Sequence, residues 1–376
     1  MPDVAHRLSL ISALDPGLLG LVDLALSGQE AMVMTATLHP DLAERGVVRL
    51  SCQQALGQDP EILDVPMPGH CQTCSLREVL IAVAQDRAEQ EPEGATVVLL
   101  PPAIELVHLL PRLAAELADL APGVRLAAVA HVLDAAVAHD ELLEHRLLAD
   151  AGLASYPGDE RCTGEIHMVN LGYADVVLSL GHDTAGVGAD LIEHLRPHET
   201  LLLPGLSAPI LECLLSIDHD APEAIRRVHP ATTQAWGGPG DHGVWTLDLS
   251  ASLPFHPGRL RELVADLAGS GLCARGCFWL PSRPGRVCAW EVAGGAVSVG
   301  DAGAWKEVPA AGQAQSEPLV EPRCHLVVTG VGEPQVRDQV RAAFEQVLLR
   351  PEEMPGALAW IGVDDGLGDW FGQAEQ

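Results

Sequence analysis

The sequence predicts an α/β protein: a mostly parallel sheet with helices on both faces, followed by a smaller α+β unit. Three observations predict it. Over residues 1–230 short apolar runs alternate with amphipathic runs, the rhythm of βα units. The chain is 376 residues long, room for two or three units of roughly 150 residues with cores that need no disulfides. Between the two patterns, residues 230–243 contain Gly237-Gly238-Pro239-Gly240 and no hydrophobic period, which reads as a linker. The expected division is 1–230, a linker 231–243, a second unit 244–350 and a mobile tail 351–376.

Taken in order, residues 8–12 are an apolar run that ends at Asp15-Pro16, so a strand leads into a helix over 18–26; aspartate suits an N-cap and proline the first helical position. Residues 31–38 and 47–52 are short apolar runs bounded by turn formers and charges, hence strands. Ser75-Leu76-Arg77-Glu78 is an S-x-x-E capping box and opens a helix over 75–89. The alternation continues with strands at 96–100, 124–132, 174–180 and 200–203, and helices at 104–120, 135–151, 189–195 and 206–215. Beyond the linker come strand 244–249, helix 257–267, strands 272–280 and 286–292, strand 324–329 and helix 335–348. Residues 303–322 and those after Pro351 are rich in Gly, Pro, Gln and Glu and are expected to be mobile.

Charge narrows the function. With 22 Lys+Arg against 52 Asp+Glu the formal net charge is −30, which repels phosphate backbones and anionic lipid. Direct DNA binding and membrane surfaces are therefore excluded as expectations, leaving protein partners. The basic residues include a single lysine, Lys306. Arginine does not substitute freely for lysine at a phosphate site. Nine cysteines, an odd number spread through the chain, fit a reducing cytoplasm better than a disulfide framework. The apolar stretch 8–26 is broken by Asp15, Pro16, Gly17 and Asp23, so no targeting segment is expected.

Cys71-Gln72-Thr73-Cys74 lies directly before the capping box, which puts both thiols at a helix N-terminus, where the partial positive charge favours thiolate. Thiolate is the metal-binding and nucleophilic form. Two sulfurs make half of a tetrahedral zinc site, so His70, another cysteine or a carboxylate would complete it. A thioredoxin-like redox pair is the alternative, although the pair does not follow the first strand of such a pattern.

At the first strand-to-helix turn, a phosphate loop of the form Gly-x4-Gly-Lys-Ser/Thr would need glycine at 13 and 18, lysine at 19 and a hydroxyl at 20. The residues there are Ala13, Leu18, Leu19 and Gly20. Asp15 would instead place its own carboxylate on the N–H groups that hold phosphate in such loops. No arginine lies between Arg7 and Arg45 to stand in for the lysine. The sixteen histidines read mostly as solvated or structural, with His70 singled out by its neighbour Cys71. His194 and His198 are separated by Pro197 and share no helical face. Neither a G-x-S-x-G elbow nor an H-E-x-x-H pair is present.

Phe255-His256-Pro257-Gly258-Arg259-Leu260, Ala274-Arg275-Gly276-Cys277-Phe278-Trp279-Leu280, Arg283-Pro284, Trp290 and Ala293-Gly294-Gly295, in that order and spacing, resemble the C-terminal domain of CobW-like proteins, the metallochaperone branch of the P-loop GTPases. The resemblance covers residues 244–350 and implies a degenerate P-loop NTPase-like first unit. Cys71, Cys74, Leu76 and Arg77 look like that family's C-x-C-C metal segment, with Thr73 at the middle cysteine's place. Ala174-Asp175-Val176-Val177-Leu178 resembles the strand before the guanine motif, of which Leu180-Gly181-His182-Asp183 keeps only the aspartate. Asp183 is therefore the residual guanine-motif position. After Val97-Val98-Leu99-Leu100, Pro101-Pro102-Ala103-Ile104-Glu105 lacks the usual strand-end acid.

With phosphate lysine, magnesium hydroxyl, strand-end acid and base-recognition lysine all missing, the resemblance implies a pseudo-GTPase that binds zinc and makes no use of GTP/Mg²⁺. A divergent branch is closer still, with a C-terminal stretch like Asp365-Gly366-Leu367-Gly368-Asp369-Trp370. Its members recruit a hibernation factor to the ribosome during zinc starvation, which makes a ribosome or ribosome-hibernation factor the implied partner. The expectation is a non-enzymatic, zinc-linked adaptor. An active GTP-dependent zinc metallochaperone and a CxxC thiol oxidoreductase are the alternatives.

Overall fold

The computed structural model describes residues 5–42, 46–52, 59–69, 71–308, 321–332 and 334–371. Eight strands, β1 (His6–Ala13), β2 (Met32–His39), β3 (Val47–Cys52), β4 (Glu61–Pro66), β5 (Ala95–Leu99), β6 (Val124–Asp134), β7 (Val176–Leu180) and β8 (Leu201–Pro204), form one sheet in the order β4-β3-β2-β5-β1-β6-β7-β8. The six from β2 to β8 in that order are parallel, and β3 and β4 extend the edge antiparallel. A central parallel strand is covered on both faces, and β1 is buried at every residue from Leu8 to Ala13, Ser9 and Ser12 included. Leu8 and Leu10 of β1 face α2 (Gln72–Gln90) and α3 (Leu106–Leu120), while Ile11 and Ala13 face α1 (Pro16–Leu26) and α7 (Ile210–Ser216). Beyond α3 lie α4 (Ala138–Leu143), α5 (Thr163–Tyr173), α6 (Val187–Leu195) and, after α7, α8 (Ala221–Val228).

The second sheet is antiparallel: β9 (Val244–Ala251), β10 (Leu272–Phe278), β11 (Arg286–Ala293), β12 (Ala296–Ala304) and β13 (Cys324–Val331), ordered β12-β11-β10-β13-β9. Alternation sorts its residues. Leu272, Ala274 and Phe278 pack under α9 (Pro257–Ala268) and α10 (Pro334–Val347), whereas Cys273 and Arg275 turn toward the first unit. The aromatics of the family-like motif build this core, with Phe255 stacked on Phe278 at 5.0 Å between ring centroids.

The β11–β12 turn wedges into the first unit. Gly294 N–H donates to Leu142 O at 2.9 Å, Cys162 Sγ to Ala293 O at 3.3 Å, and the His145 ring bonds Gly294 O at 2.9 Å. The approach leaves no room for side chains. A Cβ on Gly164 would lie 2.6 Å from the Gly294 nitrogen, and Gly294 itself has φ +52.

Several expectations are corrected. The helix expected over 135–151 contracts to α4, because Leu148 is drawn away into a cluster with Leu14 and the chain turns toward the Leu147–Cys162 bridge. The unanticipated α5 has nine of eleven residues buried and so no amphipathic period. The unanticipated β4 is an exposed edge, and β12 carries no fully buried residue, so neither shows alternation. The linker is pinned: Ala231 and Thr233 are buried, and Pro239 O bonds the His194 ring.

Of the stretch after Pro351, expected to be mobile, the described residues up to 371 pack on the second sheet and residues 372–376 lie outside the described residues. Leu367 is fully buried, and Asp365 accepts from Ser282 at 2.6 Å and pairs with Arg283 at 3.1 Å. Of the other stretch expected to be mobile, residues 309–320 lie outside the described residues. Among the described residues no helix is long and apolar enough to cross a membrane.

Candidate functional site

The helix carrying the thiols begins one turn earlier than the Ser75 capping box would place it. Ser75 sits inside α2, and Cys71 is the N-cap, its Sγ accepting the Cys74 N–H at 3.3 Å. A sulfur in that position is stabilised as thiolate by the same orphan N–H groups that ordinarily bind a cap oxygen. Cys71 is exposed and Cys74 half-buried. A hydrogen bond from the Cys74 thiol, then the Cys74 N–H, pull the Cys71 pKa below that of an ordinary thiol. Cys74 moves the other way, raised by its bond to Cys71 and by burial against the pull of Arg77. Arg77 is buried and anchored to Glu116 at 2.8 Å.

His70 lies outside the described residues. Among the described residues, no three His, Cys, Asp or Glu side chains are grouped closely enough to hold a metal. The thiol pair thus supplies two sulfur ligands, a partial fit to tetrahedral zinc. A groove of about 400 Å³ runs beside the pair, lined by Gln72, Thr73, Glu105, His108, Tyr156 and Arg161. Arg161 is held there by Glu105 at 2.6 Å and Asp159 at 2.8 Å.

The usual ligand crevice of a parallel sheet lies beyond the strand ends where the order reverses, here beside β1 and β6. In this chain it is filled. Asp15 Oδ1 accepts the Gly17 N–H at 2.7 Å, and the N–H groups of Leu18 and Leu19 go to the Asp15 carbonyl. Pro16 has no N–H, so the first turn of α1 offers no free donor to a phosphate. Above it Leu14, 1% exposed, packs against Ala103, Leu148 and Ile166. Ala103 is held at φ +59, a backbone strain of about 1–3 kcal/mol that seats it in this apolar plug. Lys306 is far along the chain on the second unit, exposed beside Glu307.

Asp183 serves as a cap: Oδ1 accepts from Ala185 and Gly186, and Oδ2 from Ala189, at 2.9–3.0 Å. Burial works against its charge, but these N–H groups outweigh it and hold the carboxyl below its usual range. Asp175 is buried, its carboxylate shared among His219 at 2.7 Å, the Val129 N–H and Arg227.

Sequence reasoning missed a buried relay under the plug. Ser12 Oγ bonds His131 Nδ1 at 2.8 Å, His131 Nε2 bonds His167 Nδ1 at 3.0 Å, and His167 Nε2 bonds Glu141 at 3.0 Å. One proton per ring satisfies the whole chain, with Ser12 donating to His131, His131 to His167 and His167 to the carboxylate. A histidine inside the apolar run Ala130-His131-Val132 was the available signal.

Fold and site together define a parallel-sheet α/β protein with a filled crevice and a thiol pair capping a helix. No family model matches the chain. A 146-residue stretch is 31% identical to the zinc chaperone Rv0106 of Mycobacterium tuberculosis strain H37Rv, covering 35% of this chain and 36% of that protein. An uncharacterized protein of Mycobacterium bovis aligns at the same identity and coverage. The chain therefore spans about a third of the length of the curated relatives it matches. The Zn(II)-bound YjiA GTPase from E. coli aligns over 93% of this chain and 100% of its own, with 14% identity and a TM-score of 0.34.

Proposed function

We propose that the protein is a zinc-linked adaptor of the CobW-like type whose nucleotide crevice has become structural, with Cys71 and Cys74 as the port that takes up or senses zinc. The observation that carries the reading is the filled crevice: Asp15 on the α1 N–H groups and Leu14 in the plug leave no seat for a triphosphate. What remains on the chemical side is a thiol pair whose outer sulfur is biased toward thiolate and exposed. Its two sulfurs, with His70 or a partner's side chain completing the tetrahedron, hold the ion as cargo or signal. Identity over 146 residues with a protein named as a zinc chaperone supports the zinc assignment. The resemblance to the divergent branch, carried by the eroded phosphate loop, the Cys71/Cys74 pair and Asp365-Gly366-Leu367-Gly368-Asp369-Trp370, extends it to docking on a hibernation factor or the ribosome, with the net charge of −30 directing contact to protein rather than bare RNA.

The test is zinc competition against a chromophoric chelator under reducing conditions, alongside fluorescent-nucleotide titration with Mg²⁺. Stoichiometric zinc lost in Cys71→Ala and Cys74→Ala, with no saturable GTP binding, is expected. GTP turnover abolished by Asp183→Ala would replace the adaptor with a working chaperone.

The asymmetry of the two thiols favours a second reading, thiol–disulfide exchange, because a lowered outer thiol beside a raised inner one suits attack and resolution. Thiol counting in a glutathione buffer separates the two. A reversible Cys71–Cys74 disulfide supports exchange, and zinc shielding both thiols from alkylation supports the port.

A further inference from the structure

The face of the second sheet that meets the first unit carries a polar row that runs from buried Arg275 to exposed residues at the sheet edge. Arg275 on β10 is directly opposite Glu291 on β11, and Glu291 is directly opposite Ser298 on β12, so all three project from one side of the sheet. They line one wall of a cavity of about 200 Å³ at the seam, and Val107, Met168, Val169 and Val228 of α3, α5 and α8 line the other. Glu105, Arg161 and Glu165 also line it.

Arg161 is engaged by Glu105 and Asp159, and Glu165 by the Cys162 N–H. Arg275 is 8% exposed; it donates once, to Leu195 O at 2.7 Å, and lies over the Trp236 ring at 5.0 Å, with no ion-pair partner among the described residues. Burial pushes its pKa down to about 10, which still leaves it charged at neutral pH. Glu291 and Ser298 are exposed and form the open side of the chamber. A buried cation without a counter-charge is expensive unless something else completes it.

We propose that this chamber binds a small zwitterion of the amino-acid class, its carboxylate on Arg275, its ammonium between Glu291 and Ser298, and an apolar side chain against Met168, Val169 and Val228. The volume lies below the ~300–1,000 Å³ of drug-sized sites, which suits an amino acid and excludes a nucleotide. Arg275 opposes a bare divalent cation, and the surrounding carboxylates oppose a simple anion. Both units contribute walls, so the ligand ties them together. This assignment is independent of the zinc reading.

The test is calorimetric titration of the full chain with three probes of one shape: L-leucine, 4-methylpentanoate, which lacks the ammonium, and isoamylamine, which lacks the carboxylate. Arg275 is built into the seam, so the diagnostic variant is Glu291→Gln, with folding checked by circular dichroism. Saturable leucine binding is expected, with both single-charge analogues at least about tenfold weaker. Glu291→Gln should weaken leucine by about tenfold or more and leave 4-methylpentanoate unchanged. Absence of saturable leucine binding, isoamylamine binding as tightly as leucine, or unaltered leucine affinity in Glu291→Gln would each overturn the proposal.

Discussion

Acid should unfold this protein in part through one histidine. His131 is fully buried, and burial first, then the neighbouring His167, hold its pKa well below the usual 6.5. The folded relay needs it neutral, as acceptor from Ser12 and donor to His167. The unfolded chain protonates it on acidification and the folded chain does not, so stability is complete above pH ~6.5 and falls below it, by up to about 1.4 kcal/mol per pH unit. Between pH 7 and pH 5 the loss from this residue is about 2 kcal/mol.

The perturbation is His131→Gln, which keeps an amide donor and acceptor and cannot titrate. The assay is urea unfolding of both proteins at pH 8, 7, 6 and 5. The variant starts less stable, because its fit in the relay is imperfect. The gap to the unmodified chain should then narrow by about 2 kcal/mol between pH 7 and 5, contributions from His229, His256 and the carboxylates cancelling in the comparison. A gap of constant size would mean that His131 takes up its proton in the folded state, and the reasoning would fail.

Other outcomes follow from single contacts. Asp15→Ala removes an exposed N-cap and should cost about 1 kcal/mol in chemical denaturation, with nucleotide binding still undetectable because the Leu14 plug remains. Asp175→Asn leaves Arg227 buried without its carboxylate and should cost about 3–5 kcal/mol by the same measurement. Leu367→Ala empties a fully buried site, should cost about 2–5 kcal/mol, and should make residues 351–371 the first to be cut in limited proteolysis. Iodoacetamide at neutral pH should label Cys71 well ahead of Cys74, as read by peptide mass mapping.

Much of this architecture is legible in the sequence because it rests on local pattern. The apolar runs of β1, β5 and β7 announce buried parallel strands, and Asp15-Pro16 announces the cap that the structure shows. The misses have the opposite character. β4 and β12 are shaped by their neighbours and have little buried surface of their own, so no alternation marks them. α5 is so thoroughly enclosed that its polar residues, His167 and Asn170 among them, are satisfied by distant partners: Glu141 and His131 for one, Leu106 and Ile104 for the other. The thiol pair was visible as a motif, but Cys71 as its own cap was hidden by the capping-box pattern one turn later. The plug could not be foreseen either, since Leu14, Ala103, Leu148 and Ile166 meet only when four separate segments converge.

The glycine turn that inserts between α4 and α5 makes the chain a poor candidate for dissection. Cutting it at the Gly-Pro segment would strip the first half of the backbone partner for Leu142 and open Ala135, Leu171 and Ala293 surfaces that bury one another. Each fragment would carry a sticky scar, and separate expression of the halves should yield aggregates unless the two are produced together and allowed to recombine.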